Sequence, residues 1–481
     1  MVREASGRDD RERARLLAAI VLIGLGARLG VVLALNQGGL WQSWNEHWQI
    51  ASSLHEGRGF AFRWYGLFPE PQVGSFLPPL YPWILAGLLF LAGGASHVAV
   101  WLAQGINLIV GTATIWLVAR LAALSGGAVP RAPSRADGPD ARQATRAGIA
   151  ARVLRDPALL AGLAWALYPP ALGHVAQANT QTLETFLLVL LAYLALSWRG
   201  RASAWLPAGL TLGLLLLTRP AAGLVWFLWG LAFVAWRPAL TADMGRPTSG
   251  GDQPAAPGIA PDGVRPSRLA AFRYVALATA LAALVLLPWT IRNFAVHGRL
   301  VPVSTNGGFN FYMGNHATGH GDIPPLAQYF ARLTEEERAS FRALSESDRD
   351  RRFYALGREY WRTQPVRALR GVWNRLVSYV LWRPYLFAAY PRWLALVFIA
   401  SYLLLFVPFV LSLRGPPDAG RTFSLLAFAG TGAAGLVWIV SMRFRATVEP
   451  FLAVAGMSWV ARRVDRGKRR AKAAMEAPPA V

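Results

Sequence analysis

The chain has no cysteine among its 481 residues, which excludes disulfides and thiolate metal sites. Charge is scarce as well: 16% of the residues are Asp, Glu, Lys or Arg, against about 25% in ordinary soluble domains. The deficit is concentrated in runs. Val98–Ala119, Trp393–Leu413 and Thr422–Met442 hold no charged residue, and each is long enough to cross a hydrocarbon layer of roughly 30 Å at about 1.5 Å per residue. No internal repeat and no appended soluble catalytic domain is visible. The first apolar segment lacks a small-residue cleavage pattern, so it reads as a retained anchor.

What is present is a series of apolar segments. Besides the three above, Leu16–Leu35, Pro157–Leu172, Thr185–Trp198, Ala202–Thr218, Pro220–Trp236, Ala270–Thr290 and Ala446–Ala461 are candidate spans. Arginine in short loops orients them. The N-terminus (1–15), the loop 124–156 and the tail 462–481 are basic and are assigned to the cytoplasm. The segments 80–93 and 373–390 then break parity. The first is short and the second is interrupted by Arg383-Pro384, so both read as membrane-surface helices on the outer side. The expectation is an all-α polytopic bundle of ten spans, with eleven or twelve as the alternative. Its module 16–290 carries an outer loop 36–97 and cytoplasmic linkers 124–156 and 237–268; an outer region 291–391 and C-terminal spans 392–461 follow. The Gly/Pro/Arg/Asp-rich stretches 124–150 and 237–268 read as disordered, and Glu335–Thr363 as helical. The net charge of +23 lies largely at the cytoplasmic face, where anionic membrane lipid attracts it, so nucleic acid is not implied.

A small set of charges converges on the outer face: Glu46, Glu184, Arg219, Arg292, Arg443 and Arg445, with Arg28 deep in the first span. A charge inside a bilayer costs about 2.5–3.5 kcal/mol on insertion scales and usually faces a protein interior. Arginine presents a two-pronged donor suited to phosphate oxygens, and a carboxylate can orient and deprotonate an attacking group. Each residue also has a plainer reading. Arg28 suits an ion pair in the bundle, the outer arginines suit interfacial snorkelling, Glu46 suits a solvated loop, and Glu184 suits a helix N-terminus. His316, His320 and Asp322 lie in a Gly/Asn-rich loop that nothing fixes, so no metal site is assigned and no cofactor is expected, a divalent metal being left open. The abundant tryptophan suits an interfacial belt, with Trp64, Tyr65 and Tyr312 as possible sugar-stacking residues.

The order of motifs resembles the C-type glycosyltransferase superfamily, especially its bacterial members related to protein O-mannosyltransferases and the lipid A aminoarabinose transferase. The matching pieces are Ile50-Ala51 with Gly57-Arg58-Gly59-Phe60, Pro79-Leu80-Tyr81-Pro82, Leu183-Glu184-Thr185, Gly209-Leu210-Thr211-Leu212-Gly213 before Thr218-Arg219-Pro220, Pro288-Trp289-Thr290-Ile291-Arg292-Asn293, Ser304-Thr305-Asn306-Gly307-Gly308-Phe309-Asn310 with Gly314-Asn315, and Arg443-Phe444-Arg445 with Glu449-Pro450. The resemblance implies a polyprenyl-phosphate sugar donor, an inverting transfer to a lipid, glycan or protein acceptor outside a bacterial cytoplasmic membrane, and seven spans before a long outer loop. The family's entry loop usually carries an Asp about four residues before an aromatic. Here Ser43 and Trp44 stand at the acidic places and His47 at the aromatic, which leaves Glu46 as the acid. Glu46 and Glu184 are thus the candidate bases, and Arg219, Arg443, Arg445, Arg292 and Arg28 the candidate phosphate ligands. A lipid-linked saccharide flippase would share the arginines but need no base, and a silent envelope-assembly protein would need neither.

Overall fold

The computed structural model describes residues 2–35, 46–65, 67–125, 141–198, 203–235, 267–316, 333–381, 391–440 and 442–476. Ser43, Trp44, His320, Asp322 and the segments 126–140, 236–266 and 382–390 lie outside them.

The chain starts with α1 (Val2–Leu35) and enters an outer loop built of α2 (Glu46–His55), a two-stranded antiparallel ribbon β1 (Ala61–Phe62) and β2 (Gln72–Val73), and α3 (Leu80–Leu91). The bundle continues with α4 (Ser96–Ser125), α5 (Ala141–Arg155), α6 (Pro157–Ala166), α7 (Pro169–Val175), α8 (Gln181–Ser197), α9 (Trp205–Leu216), α10 (Ala222–Ala235) and α11 (Arg268–His297). An outer arm follows: α12 (Gly307–Gly314), α13 (Glu335–Ala343), α14 (Glu346–Thr363) and α15 (Pro365–Val380). The chain closes with α16 (Arg392–Ser412), α17 (Ala419–Val437), α18 (Met442–Ala446) and α19 (Glu449–Glu476).

Helices stand at each of the ten expected spans. Four of them, Asp10–Leu35, Ser96–Ser125, Arg268–His297 and Arg392–Ser412, are long and apolar enough by themselves to cross a membrane, and the bent pair α6–α7 makes a fifth. The rest fall short for visible reasons: α8, α9 and α10 run only 17, 12 and 14 residues, α17 is rich in Gly, Ser and Thr, and α19 carries a charged end. One linker expectation needs correcting, since α5 (Ala141–Arg155) begins inside the stretch 124–150 read as disordered and runs beyond it. Alanine at five of its positions favours a helix that periodicity did not reveal. The helical reading of Glu335–Thr363 holds with a break: Ser345 caps α14 by accepting from the Asp348 amide.

Apolar side chains face outward, among them Leu22, Leu284 and Ile291, while polar ones such as Arg28, Gln104, Asn107 and Glu184 are buried. This inversion is the one a lipid solvent imposes. The α9–α11 contact depends on the spacing of Gly209 and Gly213. A Cβ on either would come within 2.8 Å of α11, at Leu281 and Val285 respectively. The small-residue face thus lets the two helices approach closely. The motif was informative, and its work here is packing.

The break between α6 and α7 places a second motif residue. Asp156 caps α6 through the Ala158 and Leu159 amides, and Pro169-Pro170 stops continuation by removing amide donors. The chain bends by 55° there, and Pro169 and Pro170 cannot give the carbonyls of Trp165 and Ala166 their α-helical amide partners. Arg28, 1% exposed, donates to them at 3.4 and 3.0 Å and to Gly24 at 3.1 Å. Its buried guanidinium therefore caps a broken helix.

Candidate functional site

Glu184 lies in the first turn of α8, where the helix dipole favours a carboxylate. It is 2% exposed. Its Oε1 accepts from Arg219 Nε at 2.5 Å and from Thr447 Oγ1 at 3.0 Å, while Oε2 has no hydrogen-bond partner among the described residues. Arg219 is delivered by the end of α9: its amide still reaches the Leu215 carbonyl, and Pro220 then turns the chain away. The guanidinium lies over the Phe444 ring, 4.2 Å from its centroid, and its side chain remains 20% exposed.

The outer loop meets this pair. Glu46 opens α2, again at a helix N-terminus, and accepts from Tyr65 Oη at 2.7 Å. Tyr65 has a left-handed φ of +34°, an uncommon conformation for a bulky residue. It is held there by stacking on Phe309, at 6.1 Å between centroids. Burial and the neighbouring Glu46 carboxylate raise its phenol well above the usual range, so it stays a donor. His47 packs edge-on against Tyr81 at 5.4 Å. Burial, with the positive charges of Arg219 and Arg443, pushes its imidazole down to about 3, which keeps it neutral. That influence places His47, Arg219 and Arg443 in one neighbourhood, with Arg443 exposed.

The other arginines are committed elsewhere. Arg445 is buried; it pairs with Glu449 at 2.9 Å, donates to the Tyr379 and Leu381 carbonyls at 3.0 and 2.6 Å, and covers the Tyr402 ring. Arg292 donates to the Gly74 carbonyl at 2.6 Å and to Ser75 Oγ at 2.8 Å, and packs on Trp289. It belongs to a buried polar joint in which Glu346 at the start of α14 accepts from the Ser75 amide at 2.6 Å and from Thr305 Oγ1 at 2.5 Å. The joint ties the outer loop to the outer arm, and nothing local in the sequence reveals it. Gly314-Asn315 is a joint too: Asn315 Oδ1 accepts from Trp361 at 2.8 Å and from Arg375 at 3.0 Å.

Trp64 is fully buried and offers no sugar a face. His316 is buried against Tyr312, and among the described residues no group of three His, Asp or Glu is placed to hold a metal. His47 and Thr447 are the neighbours that sequence reasoning missed as site residues. His47 had a signal, its place beside Glu46; Thr447 had none, because it lies 263 residues from the Glu184 it bonds.

No protein-family model and no curated protein matches the chain. Solved structures do. The archaeal oligosaccharyltransferase AglB from Archaeoglobus fulgidus, in complex with an inhibitory peptide and a dolichol-phosphate, superposes with a TM-score of 0.50 at 14% identity over 98% of this chain and 53% of its own. The same organism's oligosaccharyltransferase with Zn and sulfate gives 0.50 at 15% identity over 96% and 50%. Its form tethered to an acceptor peptide containing the NVT sequon gives 0.50 at 13% over 96% and 51%. The chain spans about half the length of these proteins, and over nearly all of its own length it has their fold.

Proposed function

We propose that the chain is an integral membrane glycosyltransferase of the C type, moving one sugar from a polyprenyl-phosphate donor to an acceptor outside a bacterial cytoplasmic membrane, with inversion at the anomeric carbon. The observation that carries this reading is the electrostatic proximity of His47, which follows the Tyr65-bonded Glu46, to Arg219 of the Glu184–Arg219 pair, in a bundle with the oligosaccharyltransferase fold. The ten-span topology, with both termini cytoplasmic, belongs to the same reading. Glu46 is the base: Tyr65 holds one carboxylate oxygen, and the other takes the acceptor's proton. The acceptor's lone pair forms the new bond to the anomeric carbon while the bond to the phosphate oxygen breaks. The phosphate leaves with that electron pair, and Arg219 and Arg443 meet its growing charge. Glu184 positions Arg219. Arg28, Arg292 and Arg445, whose donors already serve the protein, brace the frame.

The test is Glu46→Gln, which keeps shape and removes the proton acceptor. Envelope glycolipids and glycoproteins of a deletion strain, complemented with either form, are compared by mass spectrometry, and the product thus identified is then assayed with purified protein. The variant's transfer rate should fall by about 10²–10⁴-fold at unchanged protein level. Wild-type turnover by the variant would return Glu46 to an ordinary loop acid and make Glu184 the leading base.

A further inference from the structure

Far from Glu184, α1, α4 and α6 enclose a groove of about 650 Å³. Its place follows from α4. Gln104 and Asn107, near the start of that helix, bond the turn 175–177 that leads to Glu184, whereas Thr112, Trp116, Ala119, Arg120 and Ala123, toward its other end, line the groove. Small residues give it depth, with Ala18 and Leu17 of α1 forming the facing wall. From Thr112 to Ala123 the groove follows α4 for about 16 Å at 1.5 Å per residue, close to one leaflet of a hydrocarbon core of roughly 30 Å.

Its polar end offers one cation with no carboxylate partner among the described residues, Arg120. Asp10 and Arg13 stand at the mouth, and Arg13 is clasped by Asp156, Nε to Oδ2 at 2.6 Å. Arg120 differs. It lies exposed over the Trp116 ring, 5.6 Å from the centroid, and no carboxylate pairs with it among the described residues. Trp116 is 42% exposed beside it, an arrangement suited to the level of lipid headgroups.

We infer that this groove binds one anionic glycerophospholipid, its phosphate on Arg120 and one acyl chain laid between α1 and α4. The charge selects the head, and the length along α4 suits a chain from the leaflet at that end. By the arginine distribution this is the cytoplasmic leaflet, where anionic lipid accumulates. The site lies at the other end of the bundle from the proposed transfer chemistry and stands or falls independently of it.

The experiment is native mass spectrometry of the full chain in detergent, titrated with palmitoyl-oleoyl phosphatidylglycerol or with phosphatidylcholine carrying the same chains. The wild type should hold one phosphatidylglycerol in preference to phosphatidylcholine. Arg120→Gln removes the charge, and Ala18→Trp fills the groove from its exposed wall; each should weaken retention about tenfold with melting temperature unchanged. Should Ala18→Trp fail to fold, Arg120→Gln decides alone. Equal binding of the two lipids, or undiminished retention by Arg120→Gln, overturns the proposal. Displacement of the bound phosphatidylglycerol by added polyprenyl phosphate overturns it as well, because the groove would then belong to the sugar carrier.

Discussion

Two arginine–glutamate pairs sit in this bundle with similar geometry and different surroundings. Arg219–Glu184 and Arg445–Glu449 close at 2.5 and 2.9 Å, and both carboxylates lie in the first turn of a helix. Arg445 is 4% exposed and spends further donors on two backbone carbonyls. Arg219 is 20% exposed and rests on a single aromatic face. The sequence cannot separate these cases, because Arg219 and Arg445 both read as cations of the outer face. The structure separates them by what remains for a ligand: an arginine whose donors end on protein is a brace, and one with an open edge can receive a phosphate.

The largest effect expected from breaking this contrast is on the sealed pair. Arg445→Ala leaves Glu449 buried without its partner, which should destabilise the fold by about 3–5 kcal/mol, read as a loss in denaturant or thermal unfolding. Protein that stays folded should bind polyprenyl phosphate with wild-type affinity; a parallel loss of affinity would move Arg445 into the site. Next comes Arg219→Ala, which should weaken polyprenyl-phosphate binding in nanodiscs by about tenfold or more, the worth of one charge-assisted bond, with Lys rescuing only part. Because this change also strands Glu184, Glu184→Gln in the same background should restore stability while leaving the binding loss. Restored binding in the double variant would mean that Arg219 serves Glu184 alone. Away from both pairs, the smallest effect concerns Asp350 in the outer arm. Burial lifts its carboxyl from 3.8 to about 6, against the Gly308 amide bond that holds it down. The folded chain then binds this proton more tightly than the unfolded chain, so its contribution to stability is greatest below about pH 3.8 and is lost as pH rises through 6. Asp350→Asn should flatten melting temperature across that window, and an unchanged pH profile would show that the group does not govern it.

How much was legible follows from the range of each interaction. Apolar length located a helix at every expected span, because burial against lipid is a local property of the sequence. The bend between α6 and α7 is written in Pro169-Pro170. The helix α5 was obscured because its sequence is polar and charged, with nothing periodic to report. Candidate site residues on local motifs, Glu46, Glu184 and Arg219, were nameable one by one. Their partners were not, since Thr447 reaches Glu184 across 263 positions and Glu346 reaches Ser75 across 271. Gly314-Asn315, a matching piece of the family resemblance, serves packing here: a Cβ on Gly314 would run into the Trp438 carbonyl, a constraint no single stretch can display.

The Arg28 cap sets an order of assembly. Two of its three carbonyl partners lie 137 and 138 residues downstream, so α1 must enter the bilayer with only Gly24 of its own helix to receive the guanidinium. Until α6 arrives, that charge carries an insertion cost of about 2.5–3.5 kcal/mol. The first helix is therefore a provisional passenger, made permanent by a later one. Fragments that end before Pro157 should hold α1 in the membrane less firmly than fragments extending past Val175, a difference that alkaline extraction of nascent-length truncations would reveal; equal retention would mean that α1 needs no such partner.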